Sequence, residues 1–123
     1  MAFQTDRKRA AGMGSAKTGT EHHWIMTVSA SGLLVLVPLF IFTFGPALGK
    51  PYDEVLHIFS HPFQAIVAGL TLTVGFLHFR NGVQTVIEDY VHEPARKVLI
   101  VVAICFSYGA AATGLFAIAR LAL

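Results

Sequence analysis

Three long runs of apolar residues, separated by short polar stretches, organise this chain. The first run spans about 23–44, with the uncharged heart Leu33-Leu34-Val35-Leu36-Val37-Pro38-Leu39-Phe40-Ile41-Phe42. At about 1.5 Å per residue, about twenty residues cross a hydrocarbon layer of roughly 30 Å, so the run predicts a transmembrane helix. Pro38 predicts a kink that neighbouring helices can accommodate. Trp24 stands at the start of the run, where an interfacial indole is expected. The second run, 63–90, is apolar and small-residue-rich over its first two-thirds, including Gly69, Gly75 and Gly82. Its last third carries His78, Arg80, Asn81, Gln84, Glu88, Asp89 and Tyr90. A continuous helix there is about 40 Å long, so its polar end emerges from the hydrocarbon. The third run, 96–120, has an Ala/Gly-rich middle, Gly109 to Gly114, which allows close helix approach in a membrane.

Between the runs, Gly45-Pro46 and Gly49-Lys50-Pro51 break the chain. Asp53 and Glu54 suit the first turn of a helix, and Val55, Leu56, Ile58 and Phe59 follow with His57 and His61 among them. Residues 51–61 therefore predict a short amphipathic helix at the membrane surface, and Pro62 starts the next element. Residues 1–22 form a polar tail with Arg7, Lys8, Arg9 and Lys17, read either as a solvated tail or as a docking strip for a soluble partner. The fold class is all-α: three transmembrane helices, an N-terminal tail and a surface helix before the second span.

Composition agrees with the pattern. Of 123 residues, 54% are hydrophobic and only 13% charged, with mean hydropathy +0.63. Soluble domains carry roughly a quarter charged residues, so the bilayer is the solvent that explains the apolar blocks. The net charge of +2 and the lack of a basic run interleaved with aromatics argue against nucleic acid as a partner. The single cysteine, Cys105, cannot form an internal disulfide. The first block is too long, and its preceding tail too extended, for a cleaved signal peptide, although Phe44-Gly45-Pro46-Ala47 weakly resembles a cleavage site. Positive charge sets the topology: Arg7, Lys8, Arg9, Lys17, Arg96 and Lys97 lie on one side, against Lys50 and Arg120 on the other. This predicts the N-terminus inside and the C-terminus outside.

An ionisable residue within a spanning helix is a functional hypothesis by default. His78 lies about 24 Å of helix rise beyond Pro62, somewhat inward of the midplane. An imidazole there can hydrogen-bond a neighbouring helix, bind a metal or ligate haem iron. At about 100° per residue, Gly75 and Gly82 share its face one turn to either side. They read either as the side-chain-free wall a flat macrocycle needs or as ordinary small-residue helix packing. Arg80 points elsewhere, and its guanidinium must find an anion, such as a haem propionate, or snorkel inward. At the inner end, Asp89-Tyr90 pairs a carboxylate with a phenol that can donate to a quinone carbonyl; interfacial Tyr and helix-terminal acids are also common without such a role. His57, His61 and His92 read as surface histidines, and Cys105 and Tyr108 as packing residues.

The run His78-Phe79-Arg80-Asn81-Gly82-Val83-Gln84-Thr85-Val86-Ile87-Glu88-Asp89-Tyr90 resembles the His-x-x-x-Gly-x-x-x-x-x-x-Asp-Tyr pattern of the small hydrophobic cytochrome b anchor subunits of succinate dehydrogenase. The continuation Val91-His92 and the stretch from Gly14 to Trp24 are also similar to that family, the latter to its alphaproteobacterial members. The resemblance covers about the whole chain. It implies that His78 is an axial ligand of haem b, with the second histidine supplied by a larger cytochrome b anchor subunit. It implies that Tyr90, supported by Asp89, hydrogen-bonds ubiquinone beside an iron–sulfur subunit. Many members carry an arginine near the haem propionates shortly after the first-helix tryptophan, where this chain has Met26-Thr27-Val28-Ser29. Either Arg80, His22 or His23 takes over that contact, or the propionate contacts differ.

The resulting expectation is an anchor and electron-transfer subunit of respiratory complex II. It has no complete active site of its own, and it serves a flavoprotein and an iron–sulfur partner. It lies in a bacterial inner membrane, with a cytoplasmic N-terminus and periplasmic C-terminus. A quinol:fumarate reductase anchor is the near neighbour. The rivals from other classes are a haem-free structural anchor and a small transporter subunit with Arg80 and His78 lining a pathway.

Overall fold

The computed structural model describes residues 4–12, 14 and 19–123. Lys17 and the 15–18 part of the tail motif lie outside them. Five helices follow one another: α1 (Asp6–Ala11), α2 (Gly19–Phe44), α3 (Tyr52–Phe59), α4 (Pro62–Tyr90) and α5 (Ala95–Ala122). Three of them, α2, α4 and α5, are long and apolar enough to cross a membrane. The described residues contain no strand.

The three long helices run up, down and up, with α4 in the middle packed against α2 on one side and α5 on the other. They are apolar around most of their circumference: Leu34, Phe42 and Phe116 are exposed at 77%, 78% and 66%. A helix hydrophobic all round needs lipid or protein on every face. Pro38 sits inside a continuous α2, where it offers no N–H to the preceding turn. The helix begins at Gly19, several residues before the apolar run, with Glu21 in its first turn suiting the positive helix end.

Small residues set the α4–α5 spacing. A Cβ on Gly114 would fall 2.7 Å from Leu72 Cδ1, and one on Gly69 would fall 3.6 Å from Leu115 Cδ2, whereas Gly109 meets nothing. Ser107 is buried at this interface and donates to Ala103 O at 2.7 Å.

The end of the bundle opposite the N-terminus is closed by α3. A 3-10 turn, Gly45–Ala47, ends α2, and Gly49 takes a positive φ of 76° that residues with a Cβ adopt rarely. Across α3 the apolar positions turn inward: Phe59 is 2% exposed and packs with Ala47 and Ala68 among Phe40, Phe44, Val55 and Ile58. Asp53, Glu54 and His57 face outward, and Lys50 Nζ meets Glu54 Oε2 at 2.7 Å. At the other end lie the polar terminus of α4, the turn to α5 and the start of α2. There Arg96 and Lys97 approach Glu93 at 3.4 and 3.7 Å. The short α1, within the polar tail, is capped by the Thr5 hydroxyl, which accepts from Lys8 N. It exposes Arg7, Lys8 and Arg9.

Candidate functional site

His78 lies in the seam between α2 and α4, partly buried, with its Nδ1 2.8 Å from Ser29 Oγ. This contact is one of three at seven-residue intervals along both antiparallel helices. Nearer the start of α2, His22 Nε2 is 3.2 Å from Thr85 Oγ1. Deeper in the bundle, Thr71 Oγ1 approaches Leu36 O at 3.4 Å while donating to Val67 O at 2.7 Å. A seven-residue repeat keeps one stripe of each helix facing its neighbour, so His22 and Ser29, like His78 and Thr85, share a face.

The hydroxyls in this seam also lie within hydrogen-bond distance of carbonyls one turn back in their own helices. Thr85 Oγ1 lies within donating distance of Asn81 O, at 3.1 Å, as well as 3.2 Å from His22 Nε2. Ser29 Oγ lies 2.7 Å from Ile25 O and 3.1 Å from Met26 O. No hydrogen bond to His78 Nε2 occurs among the described residues. Beside Ser29 runs an open apolar groove of about 480 Å³, lined by Trp24, Ile25, Val28, Ser29, Gly32, Val74 and Leu77.

The two glycines flanking His78 face α2 side chains. A Cβ on Gly75 would meet Leu33 Cδ2 at 4.0 Å, and one on Gly82 would meet Met26 Cε at 3.7 Å. Of the two alternatives for these glycines, helix packing is the one with contacts in this chain.

Arg80 leaves the seam on the other side of α4. Its Nη1 donates to Tyr108 Oη at 3.1 Å, and its Cζ sits 5.5 Å from the centre of the Tyr108 ring. Its Nε is buried without a partner. The guanidinium lines a cavity of about 260 Å³ between α4 and α5, together with Phe76, Ser107, Tyr108 and Ala111. It therefore neither meets His78 nor snorkels freely. Tyr108, read from sequence as a packing residue, is its hydrogen-bond acceptor.

Asp89 and Tyr90 form the last turn of α4 and are exposed, Tyr90 at 78%. Neither side chain has a hydrogen-bond partner among the described residues, whereas neighbouring Glu88 accepts from Gln84 Nε2 at 2.8 Å. His22 and His23 are exposed at the same end of the bundle, near the start of α2. His78 is twelve residues before Tyr90, a helix rise of about 18 Å. One imidazole is thus held within the span, and a phenol–carboxylate pair stands open at the polar end. Ser29 and Thr85 are the participants that sequence reasoning missed. The equal spacing of His22 to Ser29 and of His78 to Thr85 agrees with this pairing but does not give it, because it leaves the rotation of α2 open.

Comparison with known proteins places these residues in a family. Residues 1–112 match the family model described as "Succinate dehydrogenase/Fumarate reductase transmembrane subunit". The succinate dehydrogenase hydrophobic membrane anchor subunit of Paracoccus denitrificans is 41% identical over 123 residues, which is all of this chain and 95% of that one. The subunit of the same name from Rickettsia bellii is 29% identical over 107 residues, 85% of each chain. That from Rickettsia conorii is 27% identical over 105 residues, 81% of each. No solved structure matches. Three apolar helices, a polar turn between the second and third and a match along most of the chain converge: this protein belongs to the family of succinate dehydrogenase/fumarate reductase transmembrane subunits.

Proposed function

We propose that the chain is the membrane anchor of a succinate:ubiquinone oxidoreductase, in which His78 ligates the iron of haem b and Tyr90 with Asp89 binds ubiquinone. The observation that carries this reading is the placement of His78. A single imidazole is held in mid-span by one nitrogen, with the other left without a partner, about 18 Å of rise from an exposed phenol–carboxylate pair. The donor set suits one axial position, and the second histidine comes from a larger cytochrome b anchor subunit. The groove beside Ser29 offers an apolar wall, and His22 and His23 stand at the inner end, where propionates of a bound haem would need donors. Arg80 is a weaker propionate partner, because its guanidinium is committed to Tyr108 on the other side of α4.

A haem bound there would supply a one-electron centre close to the quinone. The remaining chemistry belongs to the chain. Tyr90 donates its phenolic proton to a quinone carbonyl, orienting the ring and favouring the negative charge that develops on oxygen as electrons arrive. Asp89, one residue away, relays protons from water to the reduced quinone. Two electrons from the iron–sulfur partner and two protons from the inner side convert quinone to quinol. Succinate oxidation takes place in the flavoprotein partner. The basic residues Arg7, Lys8, Arg9, Arg96 and Lys97 favour the inner side for this end, which in a bacterial membrane is the cytoplasm and leaves the α3 end toward the periplasm.

A haem-free anchor is the second reading, favoured by the Ser29–His78 bond itself, which can hold two helices together without iron. His78→Ala separates the two. The proposal expects the complex to insert and assemble with its haem absorption lost or greatly weakened. Unchanged haem content and spectrum would remove His78 as a ligand.

A further inference from the structure

We propose that Ser29 is a positioning residue that holds His78 in the Nδ1-protonated tautomer, leaving the Nε2 lone pair for haem iron. The inference deepens the reading of His78 as a haem ligand and rests on it, although its first half concerns the protein alone.

A neutral imidazole carries one proton, and the hydrogen bond made by one nitrogen determines whether the other is a lone pair. A serine hydroxyl also has one proton. Ser29 Oγ is 2.7 Å from Ile25 O, the carbonyl one turn back in its own helix, and 2.8 Å from His78 Nδ1. If the hydroxyl proton bonds Ile25 O, the oxygen is left as an acceptor, and Nδ1 must bring the hydrogen. The opposite arrangement has the hydroxyl donate to Nδ1. It places the imidazole proton on Nε2, where no acceptor exists among the described residues, and an unmatched polar hydrogen in an apolar span is costly. The geometry repeats one heptad away. Thr85 Oγ1 is 3.1 Å from Asn81 O and 3.2 Å from His22 Nε2. In both pairs a back-bonded hydroxyl oxygen stands where it can accept an imidazole N–H.

The consequence for a ligated iron is electronic as well as geometric. An acceptor on Nδ1–H fixes the ring orientation and makes the ligand more basic, which favours the ferric state. Ser29 also occupies the segment Met26-Thr27-Val28-Ser29, so its hydroxyl contributes to the haem environment through the ligand instead of through a charge.

The test uses the assembled complex carrying Ser29→Ala, Ser29→Thr and Ser31→Ala. Ser31 makes the same kind of backbone bond, to Thr27 O at 2.9 Å, but lies on an exposed face. Redox titration of the haem should show Ser29→Ala raising the midpoint potential. A tenfold change in the ferric-to-ferrous ratio at fixed ambient potential corresponds to about 59 mV for this one-electron couple. Ser29→Thr should restore the wild-type value, and Ser31→Ala should leave it unmoved. A Ser29→Ala complex that keeps its haem at the wild-type potential overturns the inference, and so does an equal shift in Ser31→Ala. Nitrogen NMR of ¹⁵N-histidine-labelled complex, compared with His78→Ala for assignment, reads the tautomer without haem. A pyridine-like Nε2 supports the proposal, and a pyridine-like Nδ1 overturns it. If the wild-type complex contains no haem, the reading of His78 as a ligand fails, while the NMR result still decides the role of Ser29.

Discussion

Replacing Tyr90 by Phe removes one oxygen from an exposed residue of the α4 terminus and tests the proposed quinone pocket with little risk to the fold. Tyr90 is 78% exposed, and its hydroxyl has no partner among the described residues. Surface substitutions of this kind usually change stability by less than about 0.5 kcal/mol. With quinone bound the situation differs, because the carbonyl has left water and loses its donor. Leaving a desolvated group unmatched costs about 1–3 kcal/mol, which corresponds to between about 5-fold and 150-fold in kcat/KM for quinone. The assay measures succinate-driven quinone reduction and, on the same preparation, succinate-driven reduction of a dye that accepts electrons before the membrane. The ratio of the two rates should fall by that factor while the dye rate holds. An unchanged ratio would remove Tyr90 from the pocket. A parallel fall in both rates would mean that the residue serves assembly instead.

Two further outcomes follow from the packing. Phe59→Ala empties the centre of the cluster under α3, and a core Phe→Ala typically costs about 3–5 kcal/mol. Because α3 is only eight residues long, hydrogen exchange should quicken across α3 while α4 and α5 keep their protection; uniform acceleration would contradict the local cap. Tyr108→Phe keeps the ring beside Arg80 but removes the acceptor at 3.1 Å. It should lower the thermal midpoint of the detergent-extracted complex, by an amount reflecting about 0.5–1.5 kcal/mol for a typical hydrogen bond, since Tyr108 is half exposed. No change in midpoint would indicate that Arg80 turns to the polar end of the bundle instead.

Much of the fold was legible because the bilayer imposes one demand, about twenty apolar residues per span, and the chain meets it three times. The amphipathic α3 was legible as well, since Val55, Ile58 and Phe59 fall on one side of eight residues. The α1 helix was not, because a six-residue segment with no buried side chain leaves no periodic signal. Helix–helix partners were the harder problem. Angular spacing along α4 correctly separates Arg80 from His78, but it cannot give the rotation of α2 or α5 about their own axes. Hence Ser29 and Tyr108, the residues that complete His78 and Arg80, emerged only with the structure. Gly75 and Gly82 show the same limit: a missing Cβ suits a flat ligand or a neighbouring helix equally, and only the positions of Leu33 and Met26 distinguish them.

The central claim is that one chain both anchors a succinate-oxidising complex and holds haem b through His78. The most direct measurement is a reduced-minus-oxidised absorption spectrum of the detergent-extracted complex isolated through this chain, with succinate:quinone activity recorded on the same sample. A b-type haem signal should accompany that activity, and His78→Ala should lose it. An intact, active wild-type complex with no haem signal would contradict the claim, leaving an anchor in which the Ser29–His78 bond serves only to join two helices.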